Sequence, residues 1–324
     1  MKIALSSCWN SHRHEDGYKM VAEMADLGFE HIELSHGIRI GLVPGVLKAL
    51  EEGIVRVASV HNFCPLPTGV MGAAPNLYEP TARGKQEQDL WYRHTLKTLD
   101  FGARVGADLM VIHSGSMRFT LRNFDKKLDR LLAAAEGGQD DGDEKEDAAK
   151  TAAKGKAAVF VEKSLAKFRK RMKGPRRRLI DNFKRIAEPA RERGIRVAIE
   201  NREGFVELPL DEDMPLLLQE LEEPDVFGYW HDAGHAQLKE RMGIVKHSAL
   251  LEGNRGRQFG FHLHDVSEEG RDHQPLGSGV IDWKMVTSFF RPDDLLVLEM
   301  SPRQRSKSIA ESRDFLQRLL APAK

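Results

Sequence analysis

The 324 residues are enough to bury a large core, as one big domain or two ordinary ones. At 41% hydrophobic and 30% charged the composition is that of a globular enzyme. The 49 Lys+Arg balance 49 Asp+Glu, so no net charge draws the molecule onto nucleic acid or an acidic membrane. No apolar run approaches the ~20 residues of a membrane span, and polar residues and histidines interrupt the opening MKIALSSCWNSHRHEDG too early for a secretory signal. Two cysteines, Cys8 and Cys64, make no disulfide framework and read as reduced thiols of a cytoplasmic protein.

Short apolar runs alternate with amphipathic helical segments along the chain. The first strand is KIALSS from Lys2, followed by a helix in DGYKMVAEMADLGF. HIELS from His31 precedes the helix of VPGVLKALEEG, and VASVHNF from Val57 precedes that of QDLWYRHTLKTLDFGARVG. LMVIHSG from Leu109 is the fourth strand. After it the connection from about 122 to 178 is far longer than a βα unit requires. Its middle, EGGQDDGDEKEDAAKTAAKGKAA, has almost nothing to pack and reads as a partly disordered insertion between helices. The basic FRKRMKGPRRR behind it reads as a solvated helix face balancing the acidic stretch. A helix in LIDNFKRIAEPARERG leads to RVAIENR from Arg196. The rest continues with VFGYWHD from Val226, FGFHLHD from Phe259, a helix in VIDWKMVTSFF and LLVLEMS from Leu295. The recurrent helix–Gly–strand step (LGFEHIEL, VGADLMVI, RGIRVAIE) is a helix cap feeding a buried strand. Eight such units predict an α/β fold, a (β/α)8 TIM barrel over residues 1–324 as one domain. No G-x-G-x-x-G follows the first strand to support an open dinucleotide-binding sheet.

In such a barrel the carboxyl ends of the strands form the catalytic mouth. Those positions carry Glu33, His61, His113, Glu200, Asp232, His235, His262 and Glu299. A desolvated carboxylate is costly unless it is paired or bound to a cation, so the set predicts a divalent metal site. Carboxylates and imidazoles without a thiolate suit Mn²⁺, Mg²⁺, Co²⁺ or Zn²⁺. His231 and His264 read as packing or supporting residues. His12, His14, His31, His36, His94 and His247 do not read as ligands. Trp9 and Trp230 read as packing close to the mouth.

IELS, VHNF, IHSG, IENREG, HDAGHA, FHLHD, HQPLGSG and LVLEMS occur in an order that resembles the xylose-isomerase-like TIM barrels. That group includes sugar isomerases, sugar 3-epimerases and endonuclease IV-type abasic-site nucleases. The resemblance implies one divalent metal on Glu200, Asp232, His262 and Glu299. It also implies that Glu200 and Glu299 exchange protons with a sugar or sugar phosphate through an enediolate. Glu33 orients substrate hydroxyls or accepts a backbone hydrogen bond. The nuclease branch implies more metal: a second ion on His61, His113 and Glu200, and a third on His235 and His273. The third ligand of that last ion, an aspartate in the family, falls on Arg271, with Asp272 displaced by one. The expectation is therefore a metal-dependent isomerase or epimerase with a small-molecule sugar substrate. The alternative is an endonuclease IV-like phosphodiesterase at abasic DNA or another metal-dependent hydrolase or lyase. In the one-metal case His61 and His113 hold substrate hydroxyls. The family often dimerises or tetramerises, which leaves a homo-oligomer open.

Overall fold

All eight expected apolar runs form strands in the computed structural model, which describes residues 1–119, 123–136 and 144–321. They are β1 (Lys2–Ser6), β2 (His31–Leu34), β3 (Arg56–His61), β4 (Leu109–Ile112), β5 (Arg196–Glu200), β6 (Phe227–Asp232), β7 (Gln258–Leu263) and β8 (Leu295–Leu298). Each pairs in parallel with the next and β8 returns to β1, so the sheet closes into a (β/α)8 barrel with no free edge.

The helices lie outside it: α1 (Gly17–Asp26), α2 (Val43–Glu51), α3 (Lys85–Arg104), α4 (Phe124–Glu136), α5 (Glu144–Arg171) and α6 (Lys173–Glu192). They continue with α7 (Met214–Leu221), α8 (Ala233–Arg241), α9 (His247–Asn254), α10 (Trp283–Thr287) and α11 (Ser306–Leu320). The three helix–Gly–strand steps are left-handed caps, with φ of 82° at Gly28, 76° at Gly106 and 65° at Gly194. Among the described residues no helix is long and apolar enough to cross a membrane.

The barrel interior has an apolar lower layer of Ala4, Ala58, Leu109, Val111, Ala198, Trp230, Leu295 and Val297. Trp230 fits because Gly260 faces it: a Cβ there would lie 2.4 Å from the indole.

The long connection after β4 differs from the sequence reading over part of its length. Glu144–Arg171 is one helix, and Ala157, Val161 and Phe168 on it are buried in the hydrophobic core. The Phe168 ring lies 4.8–5.1 Å from those of Phe119, Phe124 and Phe205. Residues 137–143 of the acidic stretch lie outside the described residues. The basic run is a solvated face over Arg169, Lys170, Arg171, Lys173 and Arg177, as expected, with Arg176 and Arg178 half-buried. Arg169 pairs with Glu212 at 2.5 Å, Arg176 pairs with Glu220, and Arg178 Nε donates to Thr81 O at 2.8 Å, tying the insertion to the barrel loops.

Candidate metal centre

Successive inward-facing residues on a strand are two apart, and here the step above the apolar layer is polar on six strands. Ala4 gives way to Ser6, Val111 to His113, Ala198 to Glu200, Trp230 to Asp232, Gly260 to His262 and Val297 to Glu299.

His262 is the hub of this upper layer. Its Nδ1 lies 2.8 Å from Glu200 Oε1, 3.1 Å from Glu299 Oε2 and 3.8 Å from Asp232 Oδ2. On the other edge of the ring, Nε2 lies 3.1 Å from Glu33 Oε1. All five side chains are buried, so four carboxylates meet one imidazole out of water. Burial opposes a charge on His262. Glu299 and Glu33, with hydrogen bonds to Glu200 and Glu33, outweigh it and hold the ring proton well above the usual histidine range. Burial likewise opposes ionisation of Glu200. The Arg202 charge and hydrogen bonds from His113 and His262 still hold its carboxyl well below the usual range.

These residues fit a divalent cation. Single ligand atoms from Glu200, Asp232, His262 and Glu299 all lie within 4.8 Å of one another, and three hard oxygens with one imidazole nitrogen suit Mn²⁺, Mg²⁺, Co²⁺ or Zn²⁺. Glu33 adds a geometric argument. It accepts from Ser6 Oγ at 2.9 Å and Ser59 Oγ at 2.8 Å, and it takes the Nε2 hydrogen of His262. A cation among the carboxylates would replace the Nδ1 proton that His262 shares with Glu200 while Glu33 keeps the Nε2 hydrogen, the arrangement by which a carboxylate supports a metal-bound histidine. The partners of Glu33 among the described residues are the side chains of Ser6, Ser59 and His262, and none is the backbone group that was one of the two roles expected from sequence.

His61, His113 and Glu200 also bring ligand atoms within 4.8 Å of one another. His61 Nδ1 donates to Asn62 O at 3.0 Å, which turns its Nε2 toward Glu200 Oε2 at 3.7 Å. His113 Nε2 is 2.8 Å from the same oxygen, and its Nδ1 is 2.8 Å from Asn76 Oδ1. Burial first, and the Arg202 charge second, pull the His113 imidazole down to about 3.

Around His235 and His273 the geometry departs from the expected ligand set. Arg271 is exposed, and Asp272 is engaged with His273 Nδ1 at 3.1 Å. The residue that converges instead is His264, read from sequence as a supporting one. It forms one candidate group with Asp232 and His235 and another with His273 and Glu299. Its Nε2 is 3.1 Å from Asp232 Oδ1, its Nδ1 accepts the His273 N–H at 2.8 Å, and its ring stacks on that of His273 at 4.0 Å. His273 adopts the left-handed region, φ 53°, to reach this position.

Two further residues were passed over in the sequence. His36, set aside as a non-ligand, is half-buried and edge-on to His61 at 4.8 Å, with Nδ1 lacking a hydrogen-bond partner. The signal for it was Ser35-His36-Gly37 after β2, which echoes His113-Ser114-Gly115 after β4. Arg202, two residues beyond Glu200, is buried. Its Nη1 is 3.0 Å from Glu200 Oε2 and 3.4 Å from His235 Nδ1, and the guanidinium also pairs with Glu203 and Glu207 at 2.7 and 3.2 Å. Trp9 and Trp230 are fully buried packing residues, as expected. A cavity of about 740 Å³ opens over Glu299, lined in part by His36, Arg39, Arg271, His273 and Arg303.

A closed parallel barrel with ligand-type side chains gathered at its carboxyl end defines the class as a (β/α)8 TIM barrel. Residues 143–319, over half of the chain, match the family described as the xylose isomerase-like TIM barrel, and the chain belongs to that family. Among solved structures, L-ribulose 3-epimerase superposes with a TM-score of 0.65 at 14% identity, over 99% of this chain and 95% of that one. An E. coli 3-keto-D-glucoside 4-epimerase gives 0.64 at 13%, over 98% and 99%. A probable 3-DHS dehydratase from Bacillus anthracis gives 0.60 at 11%, over 99% of each chain. At these identities the likeness is one of fold. A search of curated proteins by sequence finds no match.

Proposed function

We propose that the chain is a divalent-metal-dependent isomerase or epimerase of a sugar or sugar phosphate. One observation carries the reading. Glu200 Oε1 and Glu299 Oε2 stand 2.8 and 3.1 Å from the same nitrogen, His262 Nδ1, so two buried carboxylates flank one point at the barrel mouth. The epimerases among the fold neighbours support the substrate class.

A cation held by Glu200, Asp232, His262 and Glu299 supplies the charge that stabilises a ketose oxygen as the adjacent C–H is deprotonated. One glutamate accepts that proton, and the other, carrying a proton of its own, delivers it to the opposite face or to the neighbouring carbon. Arg202 keeps Glu200 ionised for this work, and Glu33 holds the His262 ring in place. His61 and His113 face substrate hydroxyls.

The test is exchange of ketose C–H hydrogen in deuterated water, with and without prior chelation. The panel includes phosphorylated ketoses, because Arg271 and Arg303 line the mouth with no hydrogen-bond or ion-pair partner for either guanidinium among the described residues. Metal-dependent exchange on at least one ketose supports the reading. Absence of exchange across the panel, with cleavage of an abasic-site oligonucleotide, replaces it with the hydrolytic alternative that the His61–His113–Glu200 group favours.

A further inference from the structure

Four groups of potential ligands converge on the mouth, joined by Glu200, Asp232, His264 and Glu299, each of which belongs to two of them. Glu200 belongs both to the Asp232–His262–Glu299 group and to the His61–His113 group. His235 belongs to the group with Asp232 and His264. One side chain touches both Glu200 and His235. Arg202 Nη1 is 3.0 Å from Glu200 Oε2, the oxygen that faces His113 and His61, and 3.4 Å from His235 Nδ1. The other Glu200 oxygen, Oε1, faces His262 and stays clear of the guanidinium.

We propose that Arg202 is a built-in cation that takes the place of a second metal ion at the His61–His113–Glu200 group. The inference rests on the single-metal reading above. An ion bound by His61, His113 and Glu200 Oε2 must sit within coordination distance of an oxygen that Arg202 already holds. Two cations so close in a buried site repel strongly, because low dielectric amplifies the interaction. Arginine stays charged at any working pH, so the block is permanent. Its anchorage is firm: Glu203 and Glu207 pair with Nη2 and Nε and leave Nη1 directed at Glu200. Where a multinuclear site has further divalent ions, this one has a monovalent charge fixed to the backbone two residues beyond its own ligand.

The test is metal counting by titration with Co²⁺, read by elemental analysis after dialysis and by the visible absorption of the bound ion. Wild type is expected to bind one Co²⁺ per chain. Arg202→Met is expected to bind two, and Arg202→Met with His113→Ala to return to one. A count that stays at one in a folded Arg202→Met overturns the inference alone. Two or more ions in wild type overturn it together with the single-metal reading, and so does none. Arg202→Met leaves Glu200, Glu203 and Glu207 short of a partner, so a second measurement stands if that variant fails to fold. In the wild-type background His113→Ala is expected to keep one Co²⁺ per chain. Loss of that ion shows His113 already to be a ligand and overturns the proposal.

Discussion

The two layers inside the barrel share strands, direction and burial, yet their chemistry is opposite. Below lie Ala4, Leu109, Val111, Ala198, Trp230, Leu295 and Val297. One inward step above lie Ser6, His113, Glu200, Asp232, His262 and Glu299. All are at most 7% exposed, so solvent does not distinguish them. The lower layer stabilises the fold by removing apolar area from water. The upper layer opposes folding unless its carboxylates find cations, since ionised groups are expensive to desolvate. The upper layer also stands on the lower one, for the Trp230 indole meets the His262 ring edge-on at 5.0 Å. A packed base thus holds in place a charged layer that could not hold itself.

The largest expected break in this division is in the upper layer. Glu200→Gln removes a ligand charge and a proton acceptor at one position while keeping the shape. Turnover should fall by roughly 10³-fold, the scale of a lost general base, with an unchanged far-ultraviolet dichroism spectrum. Full activity in that variant rules out the paired-glutamate mechanism. Next comes the lower layer. Leu109→Ala should lower the unfolding free energy by about 2–5 kcal/mol, the usual range for a buried leucine, measured by denaturant titration. Its metal content below the unfolding transition should match wild type. A folded Leu109→Ala that loses metal shows that the layers are not separable.

This division explains what was legible in the sequence. The strands were readable because each is a short apolar run closed by a polar residue, and the chain order fixed the barrel. Glu200, Asp232, His262 and Glu299 were readable because each stands one inward step beyond a buried residue. His264 and Arg202 were not, and for His264 the reason is that its partners come from other strands and loops. His264 meets His273 nine residues on only through the left-handed turn at His273. Arg202 follows Glu200 by two residues, and the sequence does not reveal that it folds back onto it. In α5 the stripe of Ala157, Val161 and Phe168 is so sparse among alanines and lysines that only the partner surface of Phe119, Phe124 and Phe205 gives it meaning.

The smallest effect tests the join between the layers most sharply. Glu33 contributes no atom to the four-residue ligand group, yet it is fully buried and holds the edge of His262 opposite to the one that faces Glu200 and Glu299. Glu33→Gln keeps an oxygen to accept the Nε2 hydrogen and an amide for the Ser6 and Ser59 hydroxyls, so packing and tautomer survive. What disappears is the negative charge that makes the imidazole a better donor to a cation. Removing such a supporting carboxylate typically weakens metal affinity by about 10–100-fold. Competition with a chromophoric chelator measures that shift directly. Glu33→Ala is less informative, because it also leaves two buried hydroxyls unpaired and opens a cavity, so lost affinity and lost stability arrive together. If Glu33→Gln binds Co²⁺ as tightly as wild type, Glu33 serves only to satisfy Ser6 and Ser59 and belongs with the packing below it. A clear weakening at unchanged stability instead places the boundary between the layers beneath Glu33, and the metal centre then extends to β2.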